Sequence, residues 1–207
     1  MSTNTLILFV KYPEPGKVKT RLAREVGFEQ AAEIYRKLVE ANLKVLSKIE
    51  KRFRLILAFD PIEKEREIRG WLEPFQIDEY FPQRGVDLGG RLQNAFTFAF
   101  GRKPKQFRDR KVMALGSDTL GLTPQIITEG FEALKSYDCV IGPAVDGGYY
   151  LIGLASGNFK IFSNVPWSTA VVYQSTIQYL AREQMTYHEL PELEDLDTAK
   201  NLKEELL

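Results

Sequence analysis

The sequence predicts an α/β fold with a mixed, mostly parallel sheet, and three features of the chain support this prediction. Residues 111–118 form a continuous apolar run that ends in the carboxylate of Asp118, as is typical of a strand covered by helices on both faces. Other apolar segments of strand length alternate with segments in which apolar residues follow helical spacing. The turn sequence Asp146-Gly147-Gly148 joins two apolar segments, so we expect a hairpin that makes one strand antiparallel.

The predicted elements are bounded by clear start and stop signals. Pro61 ends the second strand, and Thr123 is a typical N-cap with Pro124 as first helical residue. Ser168 or Thr169 is expected to cap a later helix. The predicted strands cover residues 6–10, 54–59, 77–81, 111–116, 138–144, 149–154 and 185–190. The predicted helices cover residues 19–51 with a pause at 27–28, 63–71, 92–100, 124–135, 168–182 and a C-terminal segment after residue 198, while residues 101–110 form a basic, exposed connection.

The composition limits the class of protein. The chain has 207 residues, of which 44% are apolar and 27% charged, a length and balance that suit one globular domain spanning residues 1–207. Lys and Arg together number 28, as do Asp and Glu, so the formal net charge is zero. Proteins that bind nucleic acids or membrane surfaces in general carry a basic excess, and we therefore exclude both classes.

The cysteine content and the apolar segments predict a soluble, cytoplasmic protein. Cys139, the only cysteine, lies in a strand-like apolar segment and has no partner for an intramolecular disulfide, which fits a reducing compartment and a buried structural thiol. No apolar segment is long enough to span a bilayer, and residues 5–10 are too short for a signal peptide. His188 and Cys139 have no partners at ligand spacing, so neither a nucleophilic triad nor a zinc site is expected.

The loop after the first strand, residues 11–22, is predicted to bind phosphate. Pro13 and Pro15 prevent a helix there, and Gly16 allows a positive φ or a close backbone approach. Cations oppose the dipole at the start of a helix, so their position is favourable only beside an anion. The alternative is a solvated basic surface, and the spacing is not that of a Walker A loop. The cations of this loop are Lys11, Lys17, Lys19 and Arg21.

Asp118 stands where the fourth strand ends, at the edge at which open α/β sheets bind ligands. We interpret it as the residue that holds a divalent metal against a phosphorylated nucleotide, and the alternative is that it only caps a turn. A glycine-rich turn at residues 82–92 places Arg91 in the first turn of a helix, which again favours a bound anion over simple turn chemistry.

Five motifs, which together span nearly the whole chain, resemble those of the GT-A-type glycosyltransferase-like proteins, a bacterial family of the nucleotide-diphospho-sugar transferase superfamily. More distantly, the layout is similar to 2-phospholactate guanylyltransferase and to the molybdenum-cofactor nucleotidyltransferases. The motifs are Pro13-x-Pro15-Gly16-x-Val18-Lys19-Thr20-Arg21-Leu22, Gly116-Ser117-Asp118, Gly142-Pro143-Ala144-x-Asp146-Gly147-Gly148-Tyr149-Tyr150-Leu151-Ile152-Gly153-Leu154, Trp167-Ser168-Thr169 and Asp195-x-Asp197-Thr198.

The resemblance implies a three-layer, Rossmann-like GT-A fold with a metal-binding aspartate, Asp118, after the fourth main strand. It implies Asp197 as a second metal ligand, with Asp195 next, and Mg²⁺ or Mn²⁺ as the cofactor. It implies that Asp118 and Lys19 are catalytic. The nucleotide and phosphate residues that it implies are Lys11, Gly16, Lys17, Lys19, Thr20, Arg21, Gly85, Asp87, Arg91 and Ser117, and the acceptor side is Asp146, Gly147, Gly148 and Trp167.

The function implied is a transferase that uses a nucleotide-sugar and a small-molecule acceptor. Nucleotidyl transfer, which releases pyrophosphate from a nucleoside triphosphate, is the alternative, because the same cations and metal neutralise the phosphates that leave in either reaction. Leu120 stands where the family usually has proline, which keeps open a nucleotide-binding protein without catalysis. The base, the sugar, the acceptor and the oligomeric state are not predicted.

Overall fold

The computed structural model describes residues 4–50, 53–101 and 110–202. The strands are β1 (Asn4–Lys11), β2 (Arg54–Asp60), β3 (Glu79–Pro82), β4 (Lys111–Gly116), β5 (Thr119–Leu120), β6 (Cys139–Pro143), β7 (Tyr149–Leu154), β8 (Tyr187–Glu189) and β9 (Glu194–Asp195). The helices are α1 (Thr20–Val26), α2 (Phe28–Ser47), α3 (Glu65–Trp71), α4 (Leu88–Phe100), α5 (Pro124–Ala133) and α6 (Val172–Arg182). Three 3₁₀ turns lie at Ile62–Lys64, Phe159–Phe162 and Ala199–Asn201.

The main sheet has seven strands in the order β3-β2-β1-β4-β7-β6-β8, so β4 is its central strand. β1, β2, β3 and β4 are mutually parallel, and β8 is parallel to β6. β7 runs antiparallel to both of its neighbours, β4 and β6. The predicted mixed sheet with one antiparallel hairpin strand is therefore confirmed.

Helices cover the sheet on both faces, which confirms the three-layer α/β prediction. Along β1, Leu6 and Leu8 pack into the core under α2, α3 and α5, whereas Ile7 packs into the core under α4 and α6. Alternate side chains of a strand point to opposite faces. All of these side chains are fully buried, which explains why the strands of this sheet read as continuous apolar runs.

Several element boundaries differ from those predicted. The helix expected to reach residue 51 ends at Ser47. The predicted cap at Ser168 or Thr169 is wrong: α6 begins after Val171 without a side-chain cap, and the Thr169 hydroxyl donates to the carbonyl of Pro166 instead. Most of the predicted connection at 101–110 lies outside the described residues. The C-terminal helix is described only as far as the 3₁₀ turn at Ala199–Asn201.

The topology brings most of the predicted site residues to one edge of the sheet. β1 and β4 are parallel and in register, with Phe9 opposite Gly116, so the loop carrying Lys19 and the turn carrying Asp118 leave the same edge. β7 starts at this edge because it is antiparallel, and its hairpin turn at 144–148 therefore lies beside them. Within the described part of the chain, no helix combines the length and apolar character needed to cross a membrane.

Candidate functional site

A cleft of about 980 Å³ opens where the parallel strands end. Most of the predicted site residues line it. Gly16, Gly85 and Gly147 do not line it; each has a positive φ and shapes a neighbouring turn. The predicted residues that do line the cleft are Lys11, Lys17, Lys19, Thr20, Arg21, Asp87, Arg91, Ser117, Asp118, Asp146, Gly148, Trp167, Asp195 and Asp197.

Lys19 lies at the centre of the cleft and bridges two carboxylates. Its Nζ donates to Oδ2 of Asp118 at 2.8 Å and to Oδ1 of Asp197 at 3.3 Å, and its side chain is only 6% exposed. Burial on its own lowers the pKa of Lys19, but the nearby carboxylates, Asp118 foremost, outweigh burial and raise the pKa above the ordinary value of 10.5. The lysine is therefore a charged ammonium group at neutral pH.

Arg21 extends this ion-pair chain toward the surface. Its Nη1 lies 3.0 Å from Oδ2 of Asp197, but the arginine side chain is 74% exposed, so solvent screens most of the attraction. Asp118, Lys19, Asp197 and Arg21 thus form one row of alternating charges. The row joins the turn after β4, the start of α1 and the segment after β9, three parts of the chain that are distant in sequence.

Asp195 lies beside this row, on a short ladder that the sequence does not predict. β5 pairs antiparallel with β9, so that Thr119 stands opposite Asp195 and its hydroxyl donates to Oδ1 of Asp195 at 3.2 Å. Burial, reinforced by the negative charge of Asp118, raises the pKa of Asp195 to about 7. Leu120, at the position of the family's usual proline, pairs with Glu194 in this ladder and packs into a small core with α1 and α2.

The turn after β4 is held from below by α2. The hydroxyl of Tyr35 hydrogen-bonds Oγ of Ser117 at 2.9 Å and accepts from the backbone N–H of Lys11. Nδ2 of Asn42 donates to the carbonyls of Ser117 and Thr119. Helical spacing predicts Tyr35 as a core residue, but its hydroxyl reaches the site, and no signal in the sequence predicts this contact 82 residues away. Ser117 lines the cleft with its hydroxyl engaged by Tyr35.

The glycine-rich turn forms the end of the cleft beside β2 and β3. Asp87 is the N-cap of α4, because its Oδ1 accepts from the backbone N–H of Gly90. Nη1 of Arg91 donates to Asp60 and Gln83, at the ends of β2 and β3. The anion expected beside Arg91 is thus present as Asp60. A Cβ on Gly85 would lie 2.5 Å from the backbone nitrogen of Arg91, so the turn requires glycine there.

The β6–β7 hairpin and residues 167–172 form the opposite end. Oδ1 of Asp146 accepts from the backbone N–H of Gly148 and closes the hairpin turn. Trp167 packs edge-on against Tyr149, with ring centroids 6.2 Å apart. A Cβ on Gly147 would lie 2.1 Å from the carbonyl oxygen of Ala170, so glycine at this position allows the hairpin to pack against residues 167–172. Gly147 therefore contacts the segment that forms the predicted acceptor side, but it does not itself line the cleft.

The charges of the cleft divide it into two ends. All cations among its described lining residues come from residues 11–21, between the end of β1 and the start of α1, and from α4. The hairpin and residues 167–172 contribute only Asp146 as a charged lining residue, together with aromatic, apolar and hydroxyl groups. One end thus attracts anions, while the other presents a carboxylate beside a largely uncharged wall. The cationic lining residues are Lys11, Lys17, Lys19, Arg21 and Arg91.

The carboxylates of the cleft fit a hard cation whose remaining ligands are supplied by a substrate. Among the described residues, no group of three or more His, Cys, Asp or Glu side chains is placed to hold a metal ion. Oxygens of Asp118 and Asp197, however, both lie within 3.3 Å of the Lys19 nitrogen. Mg²⁺ is commonly held by one or two carboxylates plus substrate phosphates, and this donor set matches that pattern.

Cys139 and His188 lie outside the cleft. Cys139 is buried in β6, and burial raises the pKa of its thiol, so it is an unreactive core residue. His188 lies in β8, and its Nε2 hydrogen-bonds Oε1 of Glu129 at 2.8 Å. Neither residue lines the cleft.

Comparison with solved structures places this geometry among known folds. A protein from Desulfovibrio desulfuricans G20, assigned as a nucleotide-diphospho-sugar transferase, shares 35% identity with the chain, with a TM-score of 0.84 over 96% of this chain and 84% of that one. The 4-diphosphocytidyl-2C-methyl-D-erythritol synthase of Anaerococcus prevotii DSM 20548 has a TM-score of 0.60 at 12% identity, over 96% and 93% of the two chains.

A third solved structure, which contains a nucleotide and a metal ion, has the same fold. Glucosyl-3-phosphoglycerate synthase from Mycobacterium tuberculosis, in complex with Mn²⁺, UDP and glucosyl-3-phosphoglycerate, gives a TM-score of 0.54 at 12% identity, over 94% of this chain and 71% of that one. The sequence matches none of the functionally curated proteins with which it was compared. The two structures at 12% identity support the Rossmann-like fold alone.

The family is established by the sequence itself. The model of the family described as uncharacterized protein conserved in bacteria (DUF2064) matches residues 46–169, more than half of the chain, including β4 and Asp118. The predicted likeness to nucleotide-diphospho-sugar transferases is confirmed by the Desulfovibrio structure, which covers nearly the whole chain. The chain therefore belongs to the bacterial DUF2064 family and has the Rossmann-like fold of the nucleotide-diphospho-sugar transferases and nucleotidyltransferases.

Proposed function

We propose that the protein is a metal-dependent transferase that binds a nucleotide-sugar and transfers the sugar to a small-molecule acceptor. The observation that carries this proposal is the row of charges in which Lys19 bridges Asp118 and Asp197 at the centre of a two-ended cleft. A cationic end suits the phosphates of a nucleotide, and an uncharged wall with one carboxylate suits an acceptor hydroxyl. The charge row lies between the two, where the transferred group would be.

The cationic end would bind the diphosphate. Lys11, Lys17 and Arg21 all line the cleft, and ammonium and guanidinium groups are the usual partners of phosphate oxygens. Thr20 begins α1 directly beside them. Arg91 is held by Asp60 and Gln83 near the ends of β2 and β3, so we assign it to the nucleotide end of the cleft.

Asp118 and Asp197 would hold Mg²⁺ or Mn²⁺ between the carboxylates and the diphosphate. When bound, such a cation neutralises the charge that develops on the departing phosphates. A protein with this fold, the glucosyl-3-phosphoglycerate synthase of Mycobacterium tuberculosis, has been crystallised with Mn²⁺ and UDP. That complex supports the binding of a divalent cation by a protein of this fold. The assignment of Asp118 and Asp197 as the metal ligands rests on the position of these carboxylates in this chain.

The hairpin end would position the acceptor. Trp167 and Tyr149 provide a wall for an uncharged molecule, and Asp146 is the charged lining residue of that end. In the transfer step, an acceptor oxygen forms a bond to the anomeric carbon of the sugar, and the bond from that carbon to the diphosphate oxygen breaks. We assign the proton of the acceptor hydroxyl to the Asp146 carboxylate, and the electron pair of the broken bond leaves with the nucleoside diphosphate.

Nucleotidyl transfer is the second candidate, and the concentration of cations directly after β1 favours it. A triphosphate carries more charge than a nucleotide-sugar and suits Lys11, Lys17, Lys19 and Arg21 together. The Anaerococcus protein, a 4-diphosphocytidyl synthase by name, has this fold, which supports nucleotidyl transfer as a reaction for the chain. In this reaction a phosphate oxygen of the acceptor attacks the α-phosphorus, and pyrophosphate leaves.

A screen of thermal stability with nucleotides separates these candidates. UDP-sugars and GDP-sugars, the corresponding nucleoside triphosphates and the free diphosphates are each tested with and without Mg²⁺ or Mn²⁺. We expect the largest rise in melting temperature with a nucleotide-sugar plus metal, because binding to the folded state alone stabilises it. A preference for triphosphates would favour nucleotidyl transfer. Product analysis after incubation with the stabilising donor completes the test. Binding without turnover would favour a protein that has lost catalysis, for which Leu120 in the β5–β9 ladder is the relevant feature.

A further inference from the structure

We propose that Lys19 is the resident cation of the Asp118–Asp197 pair, and that nucleotide phosphate and a divalent metal ion replace it together. In the absence of nucleotide, the ammonium group is the shared counter-ion of the two carboxylates. Phosphate then draws the ammonium group away from the pair, and the metal ion takes its place. This inference rests on the proposed function, and it adds an order to it: the metal site forms only as phosphate binds.

The first support is the position of the ammonium group. Oδ2 of Asp118 and Oδ1 of Asp197 share the Lys19 nitrogen as their neighbour, at 2.8 and 3.3 Å. A divalent ion that binds these two oxygens needs each of them at about 2.0 to 2.6 Å, so it would occupy the position between them where the nitrogen now lies. The side chain of Lys19 is only 6% exposed, so the two cations would compete for this buried position.

The second support is the balance of charge. If a metal ion displaced Lys19 with no phosphate present, a buried ammonium group would lose its partners, which is strongly unfavourable. A bound diphosphate provides a new partner for that ammonium group. Asp197 also keeps a partner after the exchange, because Nη1 of Arg21 lies 3.0 Å from its other oxygen. Metal and nucleotide should therefore bind with positive, reciprocal coupling.

The third support is the backbone of Lys19. Its φ of 44° and ψ of 45° lie in the left-handed region, although the residue is not glycine. The carbonyl of Lys19 accepts from the backbone N–H of Ala23 and so closes the first turn of α1. Strained backbone of this kind persists only where the surroundings favour it. Here the strained residue is the one whose side chain bridges the two carboxylates.

The test compares Mn²⁺ binding by the full chain and two variants, measured by electron paramagnetic resonance of free Mn²⁺. Lys19→Met removes the ammonium group and keeps an unbranched side chain that is one atom shorter. Lys44→Met is the matched control, because Lys44 is exposed on α2 and does not line the cleft. Each protein is titrated alone and with UDP or GDP, and protein-free blanks correct for Mn²⁺ held by free nucleotide.

We expect nucleotide to raise the Mn²⁺ affinity of the unmodified chain by about tenfold or more, within the usual range of coupling between sites. Without nucleotide, Lys19→Met should bind Mn²⁺ about tenfold more tightly than the unmodified chain, whereas Lys44→Met should match the unmodified chain. In Lys19→Met the enhancement by nucleotide should largely disappear. Thermal melting establishes that each variant is folded, and the comparison within the unmodified chain needs no variant.

Two results would overturn the inference in different ways. If the unmodified chain without nucleotide binds Mn²⁺ as tightly as Lys19→Met does, Lys19 does not compete with the metal, and the proposed function stands without the exchange. If neither protein binds Mn²⁺ with nucleotide present, the metal site itself is absent, and the proposed function falls together with the inference.

Discussion

Tyr35 shows how single side chains of α2 position the turn that carries Asp118. Its hydroxyl joins the side chain of Ser117 to the backbone of Lys11, at the ends of β4 and β1. Burial raises the pKa of the Tyr35 phenol above its ordinary value of 10.0, so the group stays neutral and keeps both hydrogen bonds. Because buried polar groups are costly when unpaired, these bonds hold the turn in one conformation.

Tyr35→Phe should lower the free energy of unfolding by about 1 to 3 kcal/mol, because it removes two hydrogen bonds and leaves their partners on Ser117 and Lys11 unpaired. Denaturation in urea measures the change. The control is Tyr137→Phe, because the Tyr137 ring is exposed and its change should stay below about 0.5 kcal/mol. Equal effects of the two substitutions would contradict the role given to Tyr35.

The same phenol gives stability a dependence on pH. Because the folded pKa of Tyr35 is raised above 10.0, the unfolded chain releases the phenolic proton at lower pH than the folded chain does. The contribution of Tyr35 is therefore present below about pH 10 and is lost as the pH rises further. Tyr35→Phe should remove this part of the alkaline loss of stability.

At the scale of elements, the first turn of α4 and the segment before α6 meet at Trp167. Gly89 lies so close to this side chain that a Cβ would stand 2.3 Å from the indole nitrogen and 2.6 Å from the carbonyl oxygen of Phe162. The helix at the nucleotide end therefore supports the wall at the acceptor end. A side chain at position 89 must move one of these two groups.

Gly89→Ala should destabilise the fold by about 1 to 3 kcal/mol, the usual cost of overpacking, and should displace the Trp167 side chain. Gly90→Ala is the neighbouring control, because its Cβ would be no closer than 3.4 Å to any atom. Denaturation and the fluorescence of Trp167, in a Trp71→Phe background, report the two effects. Unchanged Trp167 emission in Gly89→Ala would contradict the contact.

The elements also show which parts of the fold a sequence can predict. β4 and the β6–β7 hairpin follow from uninterrupted apolar runs and from an Asp-Gly-Gly turn, and both are present. The β5–β9 ladder has two residues in each strand, too few for any periodicity. The start of α6 was mispredicted because Ser168 adopts a φ of 63° and the helix begins only after Val171.

At the scale of the whole molecule, the site depends on contacts between distant parts of the chain. Lys19 meets Asp118 across 99 residues and Asp197 across 178. The sequence predicts each residue separately, from its position at a strand end or in a motif. It does not predict that the lysine lies between the two carboxylates, because that depends on how α1 and the segment after β9 pack. The single domain over residues 1–207 and the cytoplasmic location stay predictions.

Calorimetric titration of UDP and GDP into the unmodified chain and into Asp118→Asn, each with and without Mg²⁺, tests the central claim most directly. We predict that Mg²⁺ raises the nucleotide affinity of the unmodified chain by about tenfold or more, and that Asp118→Asn loses this enhancement while it keeps its fold and its metal-independent affinity. If Mg²⁺ adds nothing to the unmodified chain, or if Asp118→Asn keeps the full enhancement, then Asp118 only shapes the turn after β4 and the metal-dependent transferase is contradicted.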